Sequence, residues 1–115
     1  MTVGDLIKAI ENFLEEDKIG RYLNHVFIND GYEIENYTID SVYYRCGEVV
    51  LQSNETDNGD WCLIAPYVLH CLRFFKRNLE VCVQVSDEEL DYCYYNTENC
   101  KIEDGNRFVI YCSSR

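Results

Sequence analysis

The spacing of apolar residues changes along this chain from a helical pattern to a strand-like one. An apolar stripe at i, i+1, i+4, i+7 and i+8 predicts a helix over about residues 3–17. Its members are Leu6, Ile7, Ile10, Phe13 and Leu14. Thr2 and Asp5 resemble a capping box, in which each side chain accepts a hydrogen bond from the other residue's N–H. The chain therefore begins with an amphipathic helix.

Short apolar runs separated by turn-forming residues follow this helix, as is typical of antiparallel sheet. The runs are at about 25–28, 32–44, 48–52, 81–85, 92–95 and 108–112. Asn29-Asp30-Gly31, Cys46-Gly47 and Asp104-Gly105 supply turns. Val81, Val83 and Val85 alternate with Cys82 and Gln84, which predicts a half-buried strand.

A second helix is predicted from Pro66, the only proline, because the first helical turn needs no N–H at that position. Its predicted apolar stripe is Tyr67, Val68, Cys71, Leu72 and Phe75. Arg73, Lys76 and Arg77 are expected on its exposed side at the C-terminal end, where the helix dipole favours cations.

These elements predict an α+β fold with two helices packed on antiparallel β meanders. A chain of 115 residues is expected to form a single domain, 1–115. Each half contains a helix, then strands, then a final strand entered through glycine. The pattern predicts two α-β-β-β repeats, residues 1–53 and 62–115, joined by a polar loop at 54–61.

The charge of the chain limits its partners. Twenty-one acidic residues face ten basic ones, so the net charge of −11 repels nucleic acid and anionic membranes and favours basic protein surfaces. No Lys or Arg occurs in residues 22–44 or 78–100. Because the sequence has neither a signal-peptide pattern nor an apolar run long enough to span a bilayer, a cytoplasmic protein is expected.

The sequence contains no recognisable catalytic motif, and the hypothesis is a protein that is not an enzyme. His25 and His70 are the only histidines, and nothing in the sequence orients either ring. The seven cysteines include no C-x-x-C pair, so neither a metal site nor a cofactor is expected. Cys82, Cys93 and Cys112 lie in strand-like runs and are interpreted as small hydrophobic residues.

Acidic and tyrosine residues together predict a partner-binding surface. Alternate carboxylates on a strand stand about 6.6 Å apart, and a DNA strand carries one phosphate per about 3.4 Å. A row of such carboxylates therefore approximates a row of phosphates, while exposed tyrosines supply contact area. The candidate partner-binding residues are Asp30, Glu33, Glu35, Asp40, Asp87, Glu88, Glu89, Asp91, Tyr92 and Tyr94.

Three stretches resemble small proteins of phages and prophages. They are the opening T-V-G-D-L-I-K-A-I, the strand and turn of residues 25–31, and Gly47-Glu48-Val49-Val50-Leu51. Small acidic phage proteins include anti-CRISPR and other anti-defence inhibitors, some of which imitate DNA. The resemblance implies an inhibitor in the host cytoplasm that binds a basic surface of a Cas effector or another nuclease, without binding nucleic acid itself.

Three alternatives stay open. The same electrostatics suit an immunity protein that neutralises a toxin. A metal or redox protein that uses the cysteines is the second alternative. The third is an oligomeric structural module with no inhibitory role, such as a homodimer, formed by pairing of tyrosine-rich edges between copies.

Overall fold

A computed structural model describes residues 1–15, 25–29, 31, 37–54, 62–86, 92–104 and 106–115. The helices are α1 (Val3–Glu15) and α2 (Ala65–Leu72). The strands are β1 (Val26–Asn29), β2 (Tyr37–Arg45), β3 (Glu48–Asn54), β4 (Glu80–Ser86), β5 (Tyr92–Glu103) and β6 (Arg107–Ser114). The predicted α+β class and both helices are confirmed. No helix in this part of the chain is long and apolar enough to cross a bilayer.

The six strands form a closed barrel in chain order. Strands β1, β2 and β3 pair antiparallel in succession, and so do β4, β5 and β6. These two sets match the predicted meanders. The prediction missed two parallel pairings, β3 with β4 and β1 with β6. Parallel neighbours need a long crossover, and the segment containing α2 supplies one between β3 and β4. The second parallel pairing closes the barrel, so each of the six described strands is paired on both sides.

One face of the sheet and the apolar sides of both helices make a single core. Val49, Leu51, Val81 and Val83 belong to this cluster, as do buried residues of α1 and α2. We call this the core face. Alternate strand residues such as Val50, Cys82 and Gln84 point the other way, to the opposite face. Those three are also buried, so both faces of the central strands are covered.

Strand β4 is consequently more buried than predicted. Every residue from Val81 to Ser86 is buried, because β3 and β5 pair with its two sides and larger side chains cover its second face. The cysteine interpretation holds for Cys82 and Cys112, which are buried, and is wrong for Cys93, which is exposed on β5. Strand β5 also continues to Glu103, beyond the predicted end.

Local signals at the helix starts are confirmed. The Thr2 N–H donates to the Asp5 carboxylate at 3.0 Å, and the Asp5 N–H donates to the Thr2 hydroxyl at 3.1 Å. Pro66 lies in the first turn of α2. Residues 16 and 17, at the predicted end of α1, lie outside the described residues.

The predicted stripe and end of α2 are partly wrong. The helix ends at Leu72 and buries Ala65, Val68, Leu69 and Leu72, which share the i, i+3, i+4, i+7 face. Tyr67 is 54% exposed because it lies off that face. Arg73, Lys76 and Arg77 therefore follow the helix and are exposed there. Cys46 and Gly47, at φ of 52° and 84°, make the predicted turn between β2 and β3.

Candidate functional site

Five strand ends lie in one row at one end of the barrel. Asn29 ends β1 and Tyr37 begins its antiparallel neighbour β2. Asn54, the last residue of β3, pairs with Ser86, the last residue of β4, and Ser86 pairs with Tyr92, the first residue of β5. The segments that continue from these ends are therefore attached next to one another.

Three segments attached to this row hold most of the net charge. Residues 30–36, 55–61 and 87–91, here called the acidic connectors, contain ten Asp or Glu and no Lys or Arg. Apart from Gly31, the connectors lie outside the described residues. The described residues carry nine acidic and eight basic side chains, a net charge of −1 against −11 for the whole chain. The elements of the barrel are thus nearly neutral.

Most of the predicted partner-binding residues belong to these connectors. Asp30, Glu33, Glu35, Asp87, Glu88, Glu89 and Asp91 lie outside the described residues. Tyr92, directly after the third connector, is 56% exposed at the start of β5. Asp40 is half-buried at an irregularity of β2, with a carboxylate oxygen 4.0 Å from the Cys62 sulfur. Exposure at Tyr92 is compatible with partner contact, whereas Asp40 is partly enclosed.

Tyr94 belongs to a hydrogen-bonded network on the opposite face. Gln84 is only 4% exposed, and its side-chain amide lies between Tyr43 of β2 and Tyr94 of β5. The Tyr43 hydroxyl donates to Gln84 Oε1 at 2.8 Å, and Gln84 Nε2 donates to the Tyr94 hydroxyl oxygen at 3.0 Å. Arg45 also donates to the Tyr94 hydroxyl, and its guanidinium lies 5.3 Å from the Tyr94 ring centre. Burial raises the pKa of Tyr43 further above its ordinary value of 10.0, so the hydroxyl is protonated at neutral pH and can donate.

A pocket of about 210 Å³ lies beside this network and is basic at its edges. Arg115 donates to the Glu48 carboxylate and, at 3.0 Å, to Asn96 Oδ1. The walls are Arg45, Cys46, Glu48, Val50, Cys82, Tyr94 and Arg115. Strand alternation indicates that most of these residues share a face, but the parallel pairing that brings β3 beside β4 was missing from the prediction. The pocket could therefore not be found from the sequence.

Two thiols, that of the buried Cys82 and that of the half-buried Cys100, have a pKa well above the ordinary value. Burial raises the pKa of Cys82 to about 11, with a smaller contribution from the Glu48 carboxylate. Burial also raises the pKa of Cys100 to about 12. Because the thiolate is the nucleophilic form, both sulfurs are poor nucleophiles near neutral pH.

The histidines contact aromatic rings. The centre of the His25 ring lies 6.3 Å from that of Phe27. The centre of the His70 ring lies 5.1 Å from that of Phe74 and 6.1 Å from that of Tyr67. In the part of the chain that the structure describes, no three His, Cys, Asp or Glu side chains are grouped to hold a metal ion.

Comparison with known proteins gives no match. No protein-family model, curated protein or solved structure matches the chain. The function must therefore be argued from the site itself.

Proposed function

We propose that this protein is a non-enzymatic inhibitor, of the anti-CRISPR or anti-defence type, that binds the basic nucleic-acid-binding surface of a nuclease. The observation that carries the proposal is the attachment of the three acidic connectors to adjacent strand ends. Ten carboxylates without a single basic residue are joined there to a nearly neutral barrel. Carboxylates attached to neighbouring strand ends steer a protein toward a cationic groove.

The distribution of charge supports an inhibitor that competes with nucleic acid. Charges that are close together act jointly within a Debye length, about 8 Å at physiological ionic strength. Attachment in one row favours such joint action more than an even spread of the same acids over the surface. Tyr92 at the start of β5 adds an exposed aromatic ring beside the third connector.

The proposal includes the α-β-β-β repeat, with one acidic connector at the same place in each half. Residues 30–36 lie between β1 and β2, and residues 87–91 lie between β4 and β5. Each half contributes one strand to each parallel pairing, β3 with β4 and β6 with β1. Two related halves would present their first hairpin connectors to the same partner.

Competition binding against a Cas effector or another nuclease with a basic groove tests the proposal. The native chain is expected to bind and to exclude duplex DNA. Reversal of Asp87, Glu88, Glu89 and Asp91 to Lys should slow association by about tenfold or more and reduce its dependence on salt. Glu33→Lys with Glu35→Lys should act in the same direction, because it alters the corresponding connector of the other half.

Glu11→Lys with Glu15→Lys is the matched control. It changes the net charge as much as the Glu33 and Glu35 variant does, but on α1. Circular dichroism establishes that each variant is folded. The proposal fails if the native chain binds none of the nucleases at low salt, or if the control weakens binding as much as the connector variants do.

A further inference from the structure

Helix α2 and the turn after it expose an aromatic surface next to three cations. Tyr67 is 54% exposed and Phe74 is 76% exposed, which are large fractions for aromatic rings in a folded chain. His70, between them, is exposed as well. Arg73, Lys76 and Arg77 complete what we call the aromatic-basic patch. Residues 62–79 contain no Asp or Glu, so the patch differs in sign from the rest of the chain.

The aromatic rings form one continuous stripe. Tyr67 and His70 lie three positions apart on α2, and Phe74 follows in the turn after the helix. The His70 ring lies 6.1 Å from Tyr67 and 5.1 Å from Phe74, the latter edge to face. The stripe faces away from the core, since the buried residues of α2 are Ala65, Val68, Leu69 and Leu72.

The three cations have no carboxylate partner in the described part of the chain. The ion pairs found there join the amino terminus to Glu80 and Arg115 to Glu48. Arg73, Lys76 and Arg77 are all exposed and belong to neither pair. In a protein with twice as many acidic as basic residues, this leaves a local group of cations available to an external acidic group.

The backbone that carries the patch is fixed by hydrogen bonds. The Phe74 and Phe75 N–H groups donate to the carbonyls of Cys71 and Leu72 and continue the turns of α2. Farther along, the Gly4 N–H of α1 donates to the Arg77 carbonyl at 2.9 Å. The patch is therefore held in place before any partner arrives, which lowers the entropic cost of binding.

The composition of the patch decides between classes of partner. Aromatic rings and arginine are the residue types that dominate protein interfaces. A symmetric dimer through this patch would bring three cations against three cations, so a second copy is disfavoured. A nucleic acid would meet favourable cations but also the field of a molecule whose net charge is −11. A short protein segment carries far fewer negative charges than a nucleic acid, so a few carboxylates on it can pair with the patch while the overall repulsion stays small, and an apolar anchor can pack on the exposed rings.

We infer that the aromatic-basic patch is a docking surface for an acidic protein segment that carries an aromatic or aliphatic anchor. The anchor packs against Tyr67 and Phe74, and carboxylates of the segment pair with Arg73, Lys76 and Arg77. This surface is distinct from the acidic connectors. The protein would then contact a basic surface through one region and an acidic segment through another.

Fluorescence anisotropy with defined probes tests the inference on the full chain. The main probe is a short labelled peptide in which one Trp and one Leu are flanked by Asp and Glu. We expect it to bind, and we expect Phe74→Ser to weaken binding by about tenfold or more. Replacing Arg73, Lys76 and Arg77 together with Gln should weaken binding several-fold and flatten its salt dependence. A peptide with Ala in place of Trp and Leu should bind more weakly.

Tyr44→Ser provides the matched control, since Tyr44 is a 56% exposed aromatic residue outside the patch. It should leave peptide binding unchanged. The inference is overturned if the acidic peptide does not bind at low salt, or if Phe74→Ser binds it as the native chain does. Tighter binding of an oligothymidylate of equal charge would assign the patch to nucleic acid instead. Self-association in light scattering that Phe74→Ser abolishes would assign it to a second copy.

Discussion

At the scale of single residues, the side-chain amide of Gln84 is a buried polar group that must find partners inside the barrel. A buried amide without partners is costly, and this one is bonded by both of its polar atoms, to Tyr43 and to Tyr94. Tyr43 supplies the proton that Gln84 Oε1 accepts. The tyrosine hydroxyl therefore has a structural role in addition to any role in recognition.

Replacing Tyr43 with Phe should lower the free energy of unfolding by about 1–3 kcal/mol, because the buried Gln84 oxygen loses its donor. Urea unfolding measures the change. Tyr44→Phe is the control on the neighbouring residue, since Tyr44 is 56% exposed and its loss of a hydroxyl should have little effect. Equal effects of the two substitutions would mean that the Gln84 bond contributes nothing measurable.

Strand alternation correctly indicates that Val81, Val83 and Val85 share a buried face, but the partners of Gln84 could not be predicted. Tyr43 on β2 and Gln84 on β4 are 41 positions apart, and they meet across β3, which pairs with both strands. The sequence of a strand shows which residues alternate between its two faces, but it does not show which strands pair with it. The pocket beside Tyr94 was missed for the same reason.

At the scale of elements, the start of α1 could be predicted and the end of α2 could not. The capping box of Thr2 and Asp5 depends on residues three positions apart, which are read directly from the sequence. The path of the chain after α2 is instead determined by contacts with α1, which is distant in the sequence. The N–H groups of Val3 and Gly4 bond to the carbonyls of Leu79 and Arg77, and these bonds hold the turn against the start of α1.

The capping box predicts a pH dependence of stability that depends on Asp5. Two hydrogen bonds lower the pKa of Asp5 below its ordinary value of 3.8. The larger effect comes from the Thr2 backbone N–H and the smaller from the Thr2 hydroxyl. A carboxyl whose pKa is lowered by folding stabilises the folded state above the unfolded pKa, and loses this contribution as pH falls through the folded value. Asp5→Asn should therefore be less stable than the native chain at neutral pH, with the difference vanishing in acid.

Urea midpoints of both proteins, measured from neutral pH to well below 3.8, check this expectation. In a Thr2→Val background the pH-dependent part of the difference should shrink, because the hydrogen bond between the Thr2 hydroxyl and the Asp5 carboxyl, one of the two that lower the pKa of Asp5, is already lost. A difference between native and Asp5→Asn chains that stays constant with pH would exclude the capping carboxylate as its source.

At the scale of the whole molecule, the helices and strands differ from the acidic connectors in composition and in role. The strands and helices, nearly neutral in sum, supply the buried apolar surface. The acidic connectors carry ten of the 21 acidic residues and no basic ones. The acidic excess can be counted in the sequence. The order of the strands shows in addition that the connectors are attached to adjacent strand ends. This second fact depends on how distant strands pair and is not contained in any local pattern.

The repulsion among these acids predicts that salt stabilises the protein. Raising NaCl from about 0.1 M to about 1 M shortens the Debye length from about 10 Å to about 3 Å, so like charges repel one another less. The urea midpoint should therefore rise with salt. Changing Asp87, Glu88, Glu89 and Asp91 to their amides should raise the midpoint at low salt and reduce its further increase. Asp104→Asn, an exposed charge in the turn between β5 and β6, should change the salt response much less. A midpoint that falls with salt, or an amide variant with the full native salt response, would show that repulsion in the third connector does not limit stability.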